Sequence, residues 1–292
     1  MKKFKTLFKK YIYRFNFTFL RFRFRNLKIL TIAQTISLVE SKKSLVRFGD
    51  GEIALICNDG PLFQSYDQGL AIELAKILSE KCNDNLVVCL PDVFRNLGAY
   101  NGGFASYWRA HLFRFRNLYY HIIESRNTFG NSFISRPFEC FLDGEEHTYV
   151  FGWFKELVAN KKILIVEGSA TGFGVENDLL DNAKSIKRIH APNRNAYSKK
   201  SAILEAIYNQ MDVDLIIISL GPTAKVLVQD LSKNSKWALD LGHLDIEYEW
   251  FLSGKKIRSE VKQKNVNELR VSGNRKVGGR NFGELVADFS DH

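Results

Sequence analysis

The runs Lys162–Glu167 (KILIVE) and Asp214–Leu220 (DLIIISL) are apolar at consecutive positions rather than alternate ones. A strand of that kind has both faces buried, and sheets covered by helices on both faces are parallel ones. Helical and strand patterns alternate around these runs. Helices are predicted over 148–159, 174–182, 197–210 and 222–233, with strands at 162–167, 185–190 and 214–220 between them. That rhythm predicts an α/β fold, a Rossmann-like three-layer sandwich with a mostly parallel sheet. Upstream, the pattern predicts a short amphipathic helix over 28–42, a strand at 44–48 and a buried strand over 85–90. It also predicts a helix from Asp67 to about Lys81, with Asp67 at its N-cap and Leu70, Leu74, Ile77 and Leu78 facing inward. Residues 103–123 read as helix surface and helix packing, and residues 254–281 as a polar, basic surface extension. At 292 residues, 45% hydrophobic and 25% charged, the chain can bury one large core.

The strand at 44–48 stops abruptly at Gly49-Asp50-Gly51. Asp50 and Glu52 stand i, i+2 beside these glycines, with Arg47 just upstream. Two carboxylates on a sharp strand end suit a hard divalent cation that keeps waters and takes its remaining ligands from a substrate diphosphate. On spacing alone, a solvated acidic turn is equally open.

Arg47-Phe48-Gly49-Asp50-Gly51-Glu52 resembles the Asp-x-Glu signature of the bacterial GT-D-type glycosyltransferases, a family first catalogued as a domain of unknown function. Further pieces resemble it in the same order: Phe63-Gln64-Ser65-Tyr66-Asp67, Leu90-Pro91-Asp92-Val93-Phe94 and Thr128–Pro137. Val166-Glu167-Gly168, Glu176-Asn177-Asp178, Gly221-Pro222-Thr223-Ala224 and Asp240–Trp250 continue the series. The resemblance spans roughly residues 30–269, and its many ordered pieces make it specific. It implies a GT-D-type fold and transfer of a hexose from a nucleotide-sugar, a UDP-sugar in the first instance, to a glycan acceptor. The setting it implies is cell-surface polysaccharide or glycoprotein assembly. It also implies Mn²⁺ or Mg²⁺ at Asp50 and Glu52, and it adds Asn177 to the nucleotide-sugar set. The chain then divides into an arm (1–30), a transferase domain (31–269) and a tail (270–292).

Ligands of open α/β sheets bind beyond the carboxyl ends of strands. Two loops qualify there. Gly168, Ser169, Thr171 and Gly172 follow a strand and precede a predicted helix, whose N-terminus would favour phosphate or ribose. That loop alone also suits S-adenosylmethionine, so a methyltransferase is the rival enzyme reading; the dinucleotide spacing G-x-G-x-x-G is absent. Gly221, Pro222 and Thr223 form the second loop, with Pro222 at a helix start. A third segment, Asp240–Glu249, carries His243, Asp245 and Glu247. His243 is read as a metal ligand or an acceptor-side hydrogen-bond partner, and Asp245 or Glu247 as the base for the acceptor hydroxyl. A non-catalytic, membrane-associated carbohydrate-binding protein is the reading from another class.

The net charge of +10 is carried by one end of the chain. Residues 1–30 hold ten Lys or Arg and no acid, leaving 32 basic and 32 acidic residues in the rest. A nucleic-acid-binding domain would not be distributed that way, so no nucleic acid is expected as partner. Phe4, Phe8, Tyr11 and Phe15 fall near helical spacing, whereas Tyr13 to Arg25 alternates as a strand does. Rings beside cations suit an anionic membrane surface. The expected location is cytoplasmic, peripheral on the inner face of the membrane, with a lipid-linked acceptor within reach. Cys57, Cys82, Cys89 and Cys140 show no metal spacing and suit a reduced compartment, the first three read as small core hydrophobes. No uncharged apolar run is long enough to span a bilayer, and no secretory signal is read at the N-terminus.

Overall fold

The computed structural model describes residues 17–60, 64–80, 84–98, 100, 102–140, 144–254, 259–261, 264 and 278–290. The helical spacing over 4–15, Phe63, Cys82 and most of the 254–281 extension lie outside the described residues.

Residues 17–23 form helix α1, in the stretch whose alternation suits a strand and whose secondary structure the sequence left undecided. Phe17, Leu20 and Phe24 recur at i, i+3 and i+7 and are all buried, so the helical period wins once this face has a core to join. The predicted 28–42 helix divides into strand β1 (Lys28–Ile29) and helix α2 (Ile32–Glu40). Thr31 sets the break: its Oγ1 accepts the Gln34 N–H at 3.1 Å, and its own N–H donates to Gln34 Oε1 at 3.0 Å.

Strand β2 (Ser44–Arg47) leads straight into α3 (Asp50–Ile56), and α4 (Gln68–Ser79) starts as expected with Asp67 Oδ1 accepting the Leu70 N–H at 2.9 Å. Then come β3 (Leu86–Leu90), α5 (Gly102–Arg114), α6 (Arg116–Ser125), β4 (Thr128–Asn131), a 3₁₀ turn (Ser132–Ser135), α7 (Pro137–Cys140) and α8 (Gly144–Val158). The second half carries β5 (Lys162–Gly168), β6 (Ser185–Ala191), a 3₁₀ turn (Ala196–Lys199), α9 (Lys200–Tyr208) and β7 (Leu215–Ser219). It ends with α10 (Pro222–Lys233), β8 (Ala238–Asp240), α11 (Leu244–Ser253) and β9 (Glu284–Asp288).

The nine strands make one sheet in the order β1-β4-β3-β2-β8-β7-β5-β6-β9, parallel at every pair, with helices packed on it in an α/β sandwich. The sheet takes in strands from both ends of the chain: β1 belongs to the arm and β9 to the tail. Arg188 on β6 anchors the tail, its Nε donating to Phe282 O at 2.6 Å and its Nη2 to Asn281 O at 3.0 Å.

The helix predicted over 174–182 is absent, and turns replace it. Gly172, Gly174 and Glu176 have φ of 62°, 69° and 60°, which no α-helix admits. Cys57 differs as well: it is exposed, whereas Cys89 is buried.

The chain leaves β5 for β6 on one side and returns to β7 on the other. The connections that leave the carboxyl ends of β5 and β7 therefore diverge, which opens a crevice of the kind that binds ligands in such sheets.

Candidate active site

Asp50 and Glu52 lie in the first turn of α3, not on an open turn, where the helix dipole favours acids. Glu52 curls back, its Oε2 accepting the Gly49 N–H at 2.9 Å, while its Oε1 lies 2.9 Å from Lys225 Nζ. Lys225 also donates to the Gly221 carbonyl at 3.0 Å and pairs with Asp240 Oδ2 at 3.1 Å. Asp240, at the end of β8, is fully buried and receives Arg47 as well. Arg47 Nη2 meets Asp240 Oδ1 at 3.0 Å, its Nε donates to the Asp240 carbonyl at 2.6 Å, and its backbone N–H reaches Asp240 Oδ2 at 3.1 Å. Burial would push the Asp240 carboxyl up, but Arg47 and Lys225 outweigh it and hold the group below the usual carboxylate range. Gly242 follows with φ of 45°, and a Cβ there would run into the Arg47 guanidinium. Glycine is what lets that guanidinium lie across the end of β8.

Asp50 turns toward α5, where the hydroxyl of half-exposed Tyr107 donates to its Oδ2. Behind Tyr107 the His111 ring stacks at 6.1 Å, and His111 Nε2 lies 3.1 Å from the Tyr119 hydroxyl. Burial lowers the His111 pKa to about 4 against the opposing pull of Asp50, with Arg114 adding to the lowering.

Gly168, Thr171, Ser219, Gly221 and Pro222 line the crevice at the ends of β5 and β7, together with Gln64, Asn193 and Asn195. Asn193 braces the first loop: its Oδ1 accepts the Ala170 N–H and its Nδ2 donates to Ser169 Oγ, both at 3.0 Å. Glu167 shapes the same loop from beneath, its Oε2 accepting the Phe173 N–H at 2.8 Å while its Oε1 pairs with Arg188 in the core. No helix starts at this loop, so it offers glycines and hydroxyls but no helix dipole. The methyltransferase reading rested on this loop alone. The second loop does open a helix, with Gly221 at the N-cap of α10 (φ 52°) and Pro222 in its first turn.

His243 caps α11, and its Nδ1 lies 2.9 Å from Arg136 Nη2. Arginine only donates, so Nδ1 accepts and the neutral ring carries its proton on Nε2. With the Nδ1 lone pair engaged, the ring serves as a hydrogen-bond donor rather than as a metal ligand through that atom.

Four other expected residues fall away from this crevice. Thr223 is fully buried, and its hydroxyl does not line the crevice. Asp245, 1% exposed, has its carboxylate filled: Oδ1 accepts from the Gly174 N–H at 2.9 Å and Asn177 Nδ2 at 2.7 Å, and Lys264 Nζ lies 2.9 Å from Oδ2. Asn177 thus belongs to this cluster and not to the nucleotide loops, donating also to Glu249 Oε1 at 2.7 Å. Glu247, on the same helix, is fully buried. Neither carboxylate is among the residues that line the crevice.

Lys225 and Tyr107 were missed by the sequence reading, which named Asp240 only as the start of its third segment, without a role. Lys225 had one signal, since it stands one turn beyond Gly221 on the same helix.

Among the described residues no group of three or more His, Cys, Asp or Glu is placed to hold a metal. Asp50 and Glu52 are a donor set of the kind Mg²⁺ or Mn²⁺ takes, one or two carboxylates completed by water and substrate phosphate, and an ion there would share Asp50 Oδ2 with Tyr107 and compete with Lys225 for Glu52 Oε1. The oxygen-only donor set has the required hardness.

Comparison with known proteins agrees with this architecture. Residues 45–269 match the family described as "Glycosyltransferase GT-D fold". The chain is 43% identical over 248 residues to "Probable glycosyl transferase Gly" of Streptococcus gordonii, covering 84% of this chain and 36% of that protein. It is 36% identical over 231 residues to "Glycosyltransferase GlyD" of Streptococcus pneumoniae serotype 4, covering 79% of this chain and 28% of that one. This chain therefore spans about a third of the length of both relatives. A solved domain described as "the highly conserved domain of unknown function 1792", with "a distinct glycosyltransferase fold", superposes with a TM-score of 0.86 at 35% identity, over 94% of this chain and 99% of that one. "A New Glycosyltransferase (DUF1792)" from Streptococcus sanguinis gives 0.83 at 39% identity, over 90% of this chain and 99% of that one. The chain belongs to the glycosyltransferase family that carries the GT-D fold.

Proposed function

We propose that the crevice transfers a hexose from a UDP-sugar to a glycan acceptor with the help of Mn²⁺ or Mg²⁺, in cell-surface polysaccharide or glycoprotein assembly. One observation carries the reading. Lys225 Nζ lies 2.9 Å from Glu52 Oε1 and 3.0 Å from the Gly221 carbonyl, which joins the second acid of the Asp-x-Glu pair to the turn that opens α10. A backbone turn at a helix N-terminus, beside Lys and Arg, suits a diphosphate.

Asp50 and Glu52 are the residues that would hold the ion; when bound, it offsets the negative charge that builds on the leaving nucleotide. Arg47 and Lys225 add positive charge at the same place, held in position by Asp240 before substrate arrives. Gly168 and Thr171 accommodate the ribose, and the amides of Gln64, Asn193 and Asn195 offer donors and acceptors to the base. His243, steadied by Arg136, donates from Nε2 to an oxygen of the acceptor or the transferred sugar. The anomeric carbon develops oxocarbenium-like character as its bond to the diphosphate breaks, the nucleoside diphosphate leaving with the bonding electrons, and the acceptor oxygen bonds to that carbon as its hydroxyl proton passes to water.

Asp50→Asn is expected to lower transfer by about 10²–10³-fold, as removal of a key electrostatic group does elsewhere, while leaving the melting temperature within a degree or two. Thermal shift of the wild type with UDP and Mn²⁺ should exceed that with GDP or S-adenosylmethionine, since a ligand of the native state raises apparent stability. Full activity in Asp50→Asn, or in excess chelator, overturns the metal-dependent scheme.

A further inference from the structure

Helix α1 has two aromatic faces, and the fold uses only one. Phe17, Leu20 and Phe24 turn inward, Phe24 packing edge-on against Phe94 at 5.1 Å and Tyr119 at 6.4 Å. Phe19 and Phe22 point outward, 64% and 62% exposed, one turn apart. Nothing in the packing of the helix calls for them. Arg21, Arg23 and Arg25 surround them and are exposed too. The Arg25 guanidinium lies 4.7 Å from the centre of the Phe22 ring, and that of Arg23 lies 4.8 Å from Tyr120 on α6. Glu124 is the neighbouring acid on α6, and residues 1–30 contain none.

We propose that this face of α1 docks on an anionic lipid bilayer, with Phe19 and Phe22 entering the headgroup boundary and the arginines meeting lipid phosphates. Paired outward rings within a basic belt are the side chains such an interface selects, and charge complementarity names the occupant. Lys2, Lys3, Lys5, Lys9, Lys10 and Arg14, just upstream, add to the same charge. The helix is also tied to the element that holds Asp50. The Phe17 ring lies 5.7 Å from the guanidinium of Arg109 on α5, and that helix carries the Tyr107 that bonds Asp50. Docking would therefore fix the crevice relative to the membrane plane. This inference stands apart from the transfer reading, because it uses neither the metal nor the nucleotide.

Flotation of the full chain with extruded vesicles tests it, without substrate. At low salt the wild type should float with vesicles of phosphatidylglycerol and phosphatidylcholine mixed equally, but not with phosphatidylcholine alone. The double variant Phe19→Ser/Phe22→Ser should bind at least about tenfold more weakly and melt with the wild type, since both rings face solvent. Three results each overturn the proposal: no flotation of the wild type, equal flotation of the variant, or equal binding to neutral vesicles. Two others do so by naming a different occupant. One is a wild-type dimer, seen by light scattering, that the variant loses while vesicle binding is absent. The other is binding to a single-stranded RNA oligonucleotide in place of vesicles.

Discussion

Two clusters of buried charge draw acids from one short segment, Asp240 for the first and Asp245 and Glu249 for the second, and they serve opposite ends. At the crevice, Arg47 and Lys225 face Asp240 and Glu52, two cations against two acids, at the carboxyl ends of β2 and β8 and the first turns of α3 and α10. In the other cluster, Lys264 alone faces Asp245 and Glu249, and Asn177 and the Gly174 N–H fill the remaining positions. The first cluster borders the ligand crevice through Lys225, which donates to the carbonyl of Gly221 on the crevice lining. The second ties α11 to the turn after β5 and to residue 264. Both hold acids of the kind a sequence reading nominates for catalysis, so residue type does not separate them. Position does: the first cluster sits where β2 and β8 end, the second on α11 against the turn after β5.

The sharpest way to break this comparison is to remove the lysine from each. Lys225→Met leaves Asp240 its pairing with Arg47, so the fold should survive. Transfer should fall by about 10²-fold, the loss expected when one preorganised positive group is taken from a site of developing charge. Lys264→Met should do the reverse. It leaves Asp245 and Glu249 facing each other without their shared cation, costing about 3 kcal/mol of stability, with kcat of the folded fraction unchanged within about threefold. Denaturant unfolding beside steady-state transfer reads both. If Lys264→Met abolished transfer in a folded protein, Asp245 would return as the candidate base.

Acid and alkali sharpen the contrast. Behind the crevice, His111 has its pKa lowered from 6.5 to about 4, chiefly by burial. Between those values the unfolded chain binds a proton that the folded one refuses, so stability is full above 6.5 and falls as pH drops. The loss should reach about 2 kcal/mol by pH 5, and His111→Phe should flatten that slope in a series of melting curves. Lys264 moves the other way. Burial lowers its pKa, but Asp245 and Glu249 more than reverse this, and it ends raised above 10.5. Its contribution is complete below 10.5 and is lost only as pH climbs past the folded value.

The α/β class was legible because KILIVE and DLIIISL can only be doubly buried strands, and both lie in the centre of the parallel sheet as β5 and β7. The Asp-x-Glu pair was legible because glycines at the end of a strand mark a change of direction. The partners were not. Asp240 meets Arg47 across 193 positions of sequence, and no local pattern announces such a pairing. Periodicity left α1 undecided, where alternating Phe and Arg imitates a strand until burial of Phe17, Leu20 and Phe24 decides for the helix. It misled at 174–182, where three positive φ angles at 172, 174 and 176 forbid the helix that composition allowed.

Tyr107 tests the edge of the comparison with the smallest effect. Its hydroxyl donates to Asp50, yet the residue is half exposed, so water can replace most of what the bond contributes. Tyr107→Phe should change stability by less than about 1 kcal/mol. Its consequence belongs to the crevice alone: the Asp50 carboxylate loses the hydroxyl that orients it, and Mn²⁺ affinity measured by electron paramagnetic resonance should fall about tenfold, as it does when the hydrogen-bond partner of a ligating carboxylate is removed. The Asp245 cluster shares no atom with this contact, so Lys264→Met and Tyr107→Phe should be additive in stability. A coupling beyond about 0.5 kcal/mol between them would mean that the two clusters are mechanically one, and the division between the crevice and the Asp245 cluster would fail.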